Sequence, residues 1–324
     1  MKVLITDYVG DADLERNLFT IAGIETVVAQ CRNAEEVADA TSAPTAIMTA
    51  KTPITASVFK AFPELKLITS FGASVEHIDL AAAKKHRVWV TNVPEYHAEE
   101  TAAHTLGMAL SLIRNLTFSD RAVRTGVWSI PDSPVLKRPS LLTLGLIGIG
   151  RVGSLVARLA APCFGKILGH DPHLAANRWP GEITKVAFSQ LLRDSDVVSL
   201  HIPLNDETNN YLDADAFKQM KQGSFIVNTS HGQHVDWGAL QAALDSGHIA
   251  GAALDVAPQE PPAVDHRIVQ HPRVMFSPHT AYYSRESDQD CRRKAVINIL
   301  SWWKDGFPPN VMVKGKKGVA LGSG

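Results

Sequence analysis

Short apolar segments alternate with amphipathic segments along almost the whole chain. The apolar runs predict buried strands, and segments with apolar residues three or four positions apart predict helices. This alternation is typical of parallel sheets covered by helices on both faces, because parallel strands need long crossover connections. We therefore predict an α/β fold with doubly wound parallel sheets. The predicted strands are residues 3–7, 26–29, 46–49, 67–70 and 88–92, and then 144–147, 167–169, 197–201, 225–228, 252–256 and 274–276.

A longer helical segment, residues 98–116, separates the two series of strands. Pro131, Pro134 and Pro139 indicate an irregular crossing after it. The chain has 324 residues, which exceeds the usual size of one hydrophobic core, so we predict two domains.

The last helical segment, residues 286–304, has no predicted strand after it, so we expect it to pack with the first series. The tail that follows, 313–324, is rich in glycine and lysine and is predicted to be disordered. The expected domains are a discontinuous one, 1–97 with 282–324, and an inserted one, 98–281.

The composition argues against several classes of protein. Lys+Arg total 32 and Asp+Glu 33, so the basic excess of a protein that binds nucleic acid or a membrane surface is absent, and neither partner is expected. The first apolar run is too short for a signal peptide, and no stretch is long enough to span a membrane. Three widely spaced cysteines (Cys31, Cys163 and Cys291) argue against a disulfide framework and for a reducing compartment. We therefore expect a cytoplasmic protein.

A glycine motif, Gly148-x-Gly150-x-x-Gly153, lies between a predicted strand and a predicted helix, 154–161. Gly148 permits a tight turn, Gly150 lets the backbone approach a pyrophosphate, and Gly153 lets helix and strand pack closely. The helix N-terminus adds N–H donors and positive potential. Asp171 ends the next strand, at the spacing expected for an acid that binds the adenosine ribose. The sequence therefore predicts dinucleotide binding. NAD is favoured, because a carboxylate would repel the 2′-phosphate of NADP.

Several motifs, in one order, resemble the D-2-hydroxyacid dehydrogenase family from Lys51 to about Arg293. They are Phe71-Gly-Ala-Ser-Val-Glu-His-Ile-Asp79, Thr91-Asn-Val-Pro94, the glycine motif, His201-Ile-Pro-Leu204, Gly251-Ala-Ala-Leu-Asp-Val256 and Pro278-His279. The stretch His279-Thr-Ala-Tyr-Tyr-Ser284 is similar to the branch that contains the C-terminal-binding-protein corepressors and phosphoglycerate dehydrogenase-like members.

The resemblance implies an oxidoreductase that transfers a hydride between NAD(H) and a small 2-oxo or 2-hydroxy acid. It implies a Rossmann cofactor domain inserted into a flavodoxin-like substrate domain, with the ligands in the cleft between them and homodimer contacts near helix 98–116. Asp255 would bond the nicotinamide carboxamide, although a turn or N-cap role is nearly as plausible. The implied cofactor-binding residues are Gly148, Gly150, Arg151, Val152, Gly153, Asp171, His201, Pro203, Thr208, Asn228, Thr229, Ser230, Asp255 and His279.

The same resemblance implies the catalytic residues. His279 would give a proton to the 2-oxo group as hydride arrives, and an imidazole suits this role because it titrates near neutral pH. Glu260 would bond the other ring nitrogen and stabilise the imidazolium. The implied substrate-binding residues are the loop Phe71, Gly72, Ala73, Ser74 and Val75, together with His231 and Tyr282.

Two positions depart from the family pattern. His231 stands where the family has an Arg that clamps the substrate carboxylate and polarises the reacting carbonyl. Imidazole is shorter and cannot make the same bidentate bond. Ser74 stands where the family loop usually has Gly. We therefore expect an unusual 2-oxo acid substrate, with an NAD(H)-sensing or corepressor-like protein of little turnover as the alternative.

Other residues have plainer interpretations. His231 and His234 form an H-x-x-H pair, but no third ligand is placed by the sequence, so no metal is predicted. His104 is expected to be a packing contact on its helix. Tyr283 is expected to pack, and Lys51 is at least as consistent with a solvated side chain as with a site residue.

Overall fold

The described chain, residues 1–7, 10–129 and 136–316 of a computed structural model, separates into two units. The first unit is Met1–Tyr96 with Ser284–Gly324, and the second is His97–Tyr283. The sequence placed these divisions after residues 97 and 281. Pro131 and Pro134 of the expected irregular crossing lie outside the described residues, whereas Pro139 begins a short 3-10 helix.

Strands and helices alternate through both units, as the periodicity indicated. The strands are Lys2–Ile5 (β1), Glu25–Val28 (β2), Ala46–Thr49 (β3), Leu67–Ser70 (β4), Trp89–Thr91 (β5), Thr143–Ile147 (β6), Lys166–His170 (β7), Thr184–Lys185 (β8), Val197–Leu200 (β9), Ser224–Asn228 (β10), Ile249–Leu254 (β11), Val274–Phe276 (β12) and Val311–Val313 (β13). The helices are Asp13–Ile21 (α1), Ala34–Ala40 (α2), Ala56–Ala61 (α3), Leu80–His86 (α4), Ala98–Arg114 (α5), Leu116–Arg124 (α6), Arg151–Ala160 (α7), Phe188–Asp194 (α8), Ala214–Gln219 (α9), Trp237–Asp245 (α10) and Arg285–Asp305 (α11).

The sheet of the first unit has the order β13-β5-β4-β3-β1-β2 within the described residues. Its strands β1 to β5 pair in parallel. β3 and β4 are buried at every residue, because a parallel strand covered on both faces has no solvent side. The carboxyl ends of these strands therefore carry the loops that could bind a ligand.

The segment after α11 corrects the prediction that the tail from residue 313 is disordered. β13 pairs antiparallel with β5, so a strand does follow the last helix. Beyond it, the Trp89 indole N–H donates to the carbonyl of Lys316 at 2.6 Å. A Cβ on Gly315 would lie 2.5 Å from the backbone nitrogen of Trp89, so glycine is needed here. The composition misled because β13 is only three residues long and its partner, β5, is far away in the sequence. Residues 317–324 of the predicted tail lie outside the described residues.

A buried ion pair joins α1 to α11 in the first unit. The Arg292 guanidinium donates from Nε to Oε1 of Glu15 at 2.7 Å and from Nη2 to Oε2 at 2.6 Å. The Glu15 side chain is fully buried. An unpaired charge at such a site costs several kcal/mol, so the pair strongly favours one arrangement of these two helices.

The sheet of the second unit has the order β12-β11-β10-β9-β6-β7-β8 in the described residues, and its strands pair in parallel. The strand order reverses between β6 and β9, and the crevice at the carboxyl ends of such a pair is where doubly wound sheets bind their ligands. The glycine motif follows β6 directly.

The helical segment expected over residues 98–116 is two helices, α5 and α6. Asn115, between them, has a φ of +55°, a left-handed conformation that Asn tolerates better than most residues. None of the helices formed by the described residues is long and apolar enough to cross a membrane.

Candidate active site

The glycine turn after β6 has the stereochemistry that a pyrophosphate site needs. Gly148 has a φ of +90°, and a Cβ there would lie 2.5 Å from the carbonyl oxygen of His201. A Cβ on Gly153 would lie 2.1 Å from the carbonyl oxygen of Gly148, whereas one on Gly150 would meet no atom within 4 Å. Gly148 and Gly153 therefore close the turn, and Gly150 leaves open space above it.

The N-terminus of α7 has no side-chain cap hydrogen bond. The backbone N–H groups of Arg151, Val152 and Gly153 begin this helix, and the first N–H groups of a helix have no intrahelical partner. Together with the space at Gly150, this arrangement fits the pyrophosphate of a dinucleotide.

Asp171, at the end of β7, lies next to this turn. Its Oδ2 accepts the backbone N–H of Ile149 at 2.9 Å, and its Oδ1 accepts those of His173 and Leu174 at 2.9 and 3.1 Å. The carboxylate therefore also shapes the glycine turn, a role that the sequence did not predict. An oxygen has more than one lone pair, so capacity for a ribose hydroxyl remains.

The segment after β9 forms the other side of the turn. Burial lowers the pKa of His201 to about 4, so its imidazole is neutral at physiological pH. Its Nε2 lies 3.0 Å from the hydroxyl of Ser199. Further along, the Thr208 hydroxyl donates to the carbonyl of Pro203 at 2.7 Å and closes this loop on itself.

The turn after β10 presents His231. The Asn228 amide nitrogen donates to the His231 carbonyl at 2.8 Å, and its Oδ1 accepts the N–H of Ser230 at 3.1 Å. The Thr229 hydroxyl is within 2.8 Å of that of Thr105 on α5. These bonds fix the backbone, and the His231 residue itself is exposed. Asn228, Thr229 and Ser230 therefore support the turn.

His279 and Glu260 are brought together as the sequence predicted. Nδ1 of His279 lies 2.6 Å from Oε2 of Glu260, and Oε1 of Glu260 accepts the backbone N–H of Ala257 at 3.0 Å. Because the carboxylate accepts from Nδ1–H, Nε2 is the nitrogen left for proton exchange with a substrate. The Tyr282 ring lies edge-on to the His279 ring, with centroids 5.9 Å apart.

Asp255 is buried and anchors the loop that carries His279. Its carboxylate accepts the Ser277 hydroxyl at 2.5 Å and the backbone N–H groups of Thr280 and Ala281 at 2.9 and 3.0 Å. The His279 backbone has a φ of +53°, a left-handed conformation that costs about 1–2 kcal/mol for a residue with a Cβ. These contacts favour the turn role of Asp255 over a bond to the nicotinamide carboxamide.

The loop Phe71–Val75 in the first unit has its carbonyls turned toward the protein. The carbonyls of Gly72, Ala73 and Ser74 accept from the Val93 N–H at 2.7 Å, the Asn92 side chain at 2.7 Å and the Ser70 hydroxyl at 2.7 Å, in that order. In a trans peptide the C=O of one residue and the N–H of the next point in opposite directions. The N–H groups of Ala73, Ser74 and Val75 therefore point in the opposite direction from these carbonyl contacts, an orientation that suits a carboxylate site.

Ser74 fits this loop without strain. The non-glycine residues with positive φ in the described ranges do not include it. Its hydroxyl accepts the backbone N–H of Glu76 at 3.3 Å. The change from the usual family glycine therefore leaves the backbone of the loop in an ordinary conformation.

Sequence reasoning missed two supporting residues of the second unit. His104 on α5, expected only to pack, has its Nε2 within 2.9 Å of the Ser277 hydroxyl. Burial lowers the pKa of His97, and the charges of Arg151, in the glycine turn, and of His279 act in the same direction. No pattern in the sequence pointed to His97.

The remaining residues have clear positions. Both ring nitrogens of His234 lie against backbone carbonyls, which accounts for this member of the H-x-x-H pair without a metal. Tyr283 is largely exposed, contrary to the expected packing. Lys51 is exposed, and its backbone N–H donates to Asp7 at 2.6 Å.

Comparisons with known proteins found similar sequences and a similar fold. A profile described as "D-isomer specific 2-hydroxyacid dehydrogenase, NAD binding domain" matches residues 106–281. The glyoxylate reductase of Thermofilum pendens is 35% identical over 269 residues, which are 81% of this chain and 78% of that protein. The glycerate dehydrogenase of Methylorubrum extorquens is 32% identical over 286 residues, 86% of this chain and 88% of that protein. The TT0316 protein of Thermus thermophilus has a similar structure, with a TM-score of 0.85 and 30% identity over 97% of this chain and 100% of that one.

The anchoring role of Asp255 is testable by Asp255→Asn. This change places an amide NH2 against N–H or O–H donors, so we expect a loss of about 1–3 kcal/mol in the free energy of unfolding. Hydrogen exchange at the Thr280 and Ala281 amides should become faster. Asp236→Asn is the matched control, because Asn caps α10 as well as Asp does. Unchanged protection at both amides in Asp255→Asn would contradict the anchor.

Proposed function

Because the chain belongs to the D-isomer-specific 2-hydroxyacid dehydrogenase family, we propose that His279 and Glu260 are the acid–base pair of a 2-oxo acid reductase. The chain is an NAD-dependent oxidoreductase that transfers a hydride between NAD(H) and a 2-oxo or 2-hydroxy acid. The observation that carries the proposal is the 2.6 Å contact between Nδ1 of His279 and Oε2 of Glu260. The comparisons give no support to the alternative of a sensing protein with little turnover.

Cofactor binding is assigned to the glycine turn, the N-terminus of α7, Asp171, and the loop after β9 that carries Pro203 and Thr208. NADH, when bound, supplies the hydride. The N–H groups at the N-terminus of α7 would bind the pyrophosphate, for which Gly150 leaves space, and the Asp171 carboxylate would bind the adenosine ribose. His201, neutral because of its burial, adds no charge beside this turn.

Proton transfer is assigned to Nε2 of His279. In the direction of reduction, the imidazolium gives this proton to the carbonyl oxygen of the substrate, which becomes the hydroxyl. Glu260 stays bonded to Nδ1 throughout and stabilises the charged ring. In the reverse direction Nε2 accepts the hydroxyl proton. The N–H groups of Ala73, Ser74 and Val75 bind the substrate carboxylate.

His231 sets the substrate preference in this proposal. An Arg at this position would offer two parallel N–H donors and a permanent charge. Neutral imidazole offers one N–H donor, on a shorter side chain. The pocket around imidazole therefore suits a 2-oxo acid other than the smallest members of the class. Glyoxylate and glycerate, which appear in the names of two relatives, are the reference substrates for comparison.

Replacing His279 tests the acid–base assignment. His279→Ala should lower the rate of 2-oxo acid reduction by about 10²–10⁴ and leave NADH binding nearly unchanged, because the ring acts on the substrate oxygen. Glu260→Gln should move the pH profile of kcat/KM to lower pH, since the protonated ring loses its carboxylate partner. The matched control is His266→Ala. The assignment fails if the activity of His279→Ala stays within about threefold of the parent. Such a loss would be far smaller than the loss that removal of an acid–base group usually causes.

A second test replaces His231 with Arg and compares a panel of 2-oxo acids. We expect kcat/KM on glyoxylate and pyruvate to rise about tenfold to 150-fold, the value of one charge-assisted hydrogen bond. The acid that the parent reduces best should become a poorer substrate. His266→Arg adds the same charge elsewhere and should change neither. A gain on every acid of the panel would contradict the specialised pocket.

We also propose that the chain forms a cytoplasmic homodimer. Within residues 116–141, the exposed apolar side chains include Leu116, Val123, Val127 and Leu141, and Trp128 is 88% exposed. α6 contributes no buried residue to its own unit. Exposed apolar side chains concentrated in one stretch of the sequence are typical of an interface, and a second copy of the chain would supply a matching face.

Light scattering on the parent and on Trp128→Glu tests the dimer. The parent should have the mass of two chains, and Trp128→Glu should shift it toward one chain, because a buried charge at the interface is costly. Lys60→Glu changes charge at an exposed site elsewhere and should leave the mass unchanged. A monomeric parent would contradict the dimer.

A further inference from the structure

His234 is a fully buried histidine whose two ring nitrogens both face carbonyl oxygens. Nδ1 lies 2.8 Å from the carbonyl oxygen of Thr208, and Nε2 lies 3.0 Å from that of Ile202. A carbonyl oxygen accepts hydrogen bonds and has no proton to give. Each of the two contacts is therefore a hydrogen bond only if the ring nitrogen carries the proton.

These distances distinguish the charge states of the ring. Neutral imidazole has one N–H, so the other nitrogen of His234 would direct its lone pair at a carbonyl oxygen. Turning the ring over would place carbon atoms at the two positions. C–H···O contacts are about 3.3–3.6 Å, longer than the 2.8 and 3.0 Å observed. Only the imidazolium satisfies both carbonyls.

The two carbonyls lie in the loop that follows β9, to which the proposed function assigns cofactor contacts. The backbone joins the same two segments, because the N–H of Asn210 donates to Gln233 at 2.8 Å and that of Leu212 to His234 at 2.9 Å. The His234 ring thus joins residues 202–208 to the turn that carries His231, and the backbone hydrogen bonds join residues 210–212 to the same turn.

We propose that His234 is a positioning residue, held as a buried imidazolium, that fixes the loop 202–208 for NAD(H) binding. Its ring lies edge-on to that of His231, with centroids 5.5 Å apart. The turn therefore keeps a positive charge close to the position where family members have Arg, but on a ring that points away from solvent. The proposal rests on the proposed function only for the cofactor role of the loop.

The other titratable groups on the packed segments are compatible with a cation. His201 is uncharged because burial lowers its pKa to about 4, and Glu260 is already bonded to His279. The remaining groups on these segments are His231, Tyr211, Asp206, Glu207, Asp213 and Asp236. Four of them are acids, so these segments carry more negative than positive side chains.

Nitrogen NMR of the ¹⁵N-labelled full chain, without cofactor, tests the charge state directly. At pH 7.5 both ring nitrogens of His234 should carry protons, with the signals assigned by their loss in His234→Leu. His248 is the internal control, because its Nε2 has a single carbonyl partner, that of Met220, at 3.0 Å. A bare ring nitrogen on His234 at this pH would overturn the proposal.

NADH titration tests the positioning role. His234→Leu leaves two carbonyls unpaired and should weaken NADH binding about tenfold to 100-fold, the value of one or two such hydrogen bonds. His234→Gln, with donors on one nitrogen only, should fall between the parent and His234→Leu. The KM for NADH should rise by a larger factor than the factor by which kcat, measured at saturating NADH, falls. His248→Leu should bind NADH like the parent.

The outcomes separate this inference from the proposed function. A parent that does not bind NADH would refute the cofactor assignment, while the NMR result on the imidazolium would stand. NADH affinity within about twofold of the parent in a folded His234→Leu would refute the positioning role. If His234→Leu does not fold, His234→Gln decides in the same way.

Discussion

The position of His279 in the second unit depends on the hydrogen bonds that the Asp255 carboxylate accepts. It is 2% exposed, and it collects a hydroxyl and two backbone N–H groups from the segment that carries His279. Without these acceptors the left-handed backbone of His279 would relax to a conformation of lower energy. The distance between His279 and Glu260 would then no longer be held. A buried carboxylate thus determines where the imidazole of His279 lies.

The glycine turn after β6 is likewise held by contacts with neighbouring segments of the chain. Gly148 and Gly153 contact main-chain atoms of neighbouring segments, and Asp171 holds the turn between them through Ile149. Parallel strands deliver all these segments to one edge of the sheet, at the point where strand order reverses. Side chains that are far apart in sequence therefore become neighbours without long loops.

Much of this was predictable from the sequence, because strand and helix periodicities, glycine spacing and family motifs are local signals. They gave the sheet type, the glycine turn and the pairing of His279 with Glu260. What escaped prediction depends on partners distant in sequence. The strand β13 is only three residues long, Val-Met-Val, and is recognisable only beside β5. His234 shows its significance only once the carbonyls of Ile202 and Thr208 face it. Asp255 likewise reads as a cofactor ligand until its donors are known.

The orientation of the peptide planes in the loop Phe71–Val75 has an evolutionary consequence. Recognition through main-chain N–H groups does not depend on which side chains the loop carries, provided that its path is kept. In the proposed site, substitutions at Ala73 and Ser74 would be nearly neutral for binding a carboxylate, and the side chains there would be free to change with the rest of the substrate. A scaffold of this kind can change its preferred acid by few substitutions, and the anchoring groups Ser70 and Asn92 are where variation would be least tolerated.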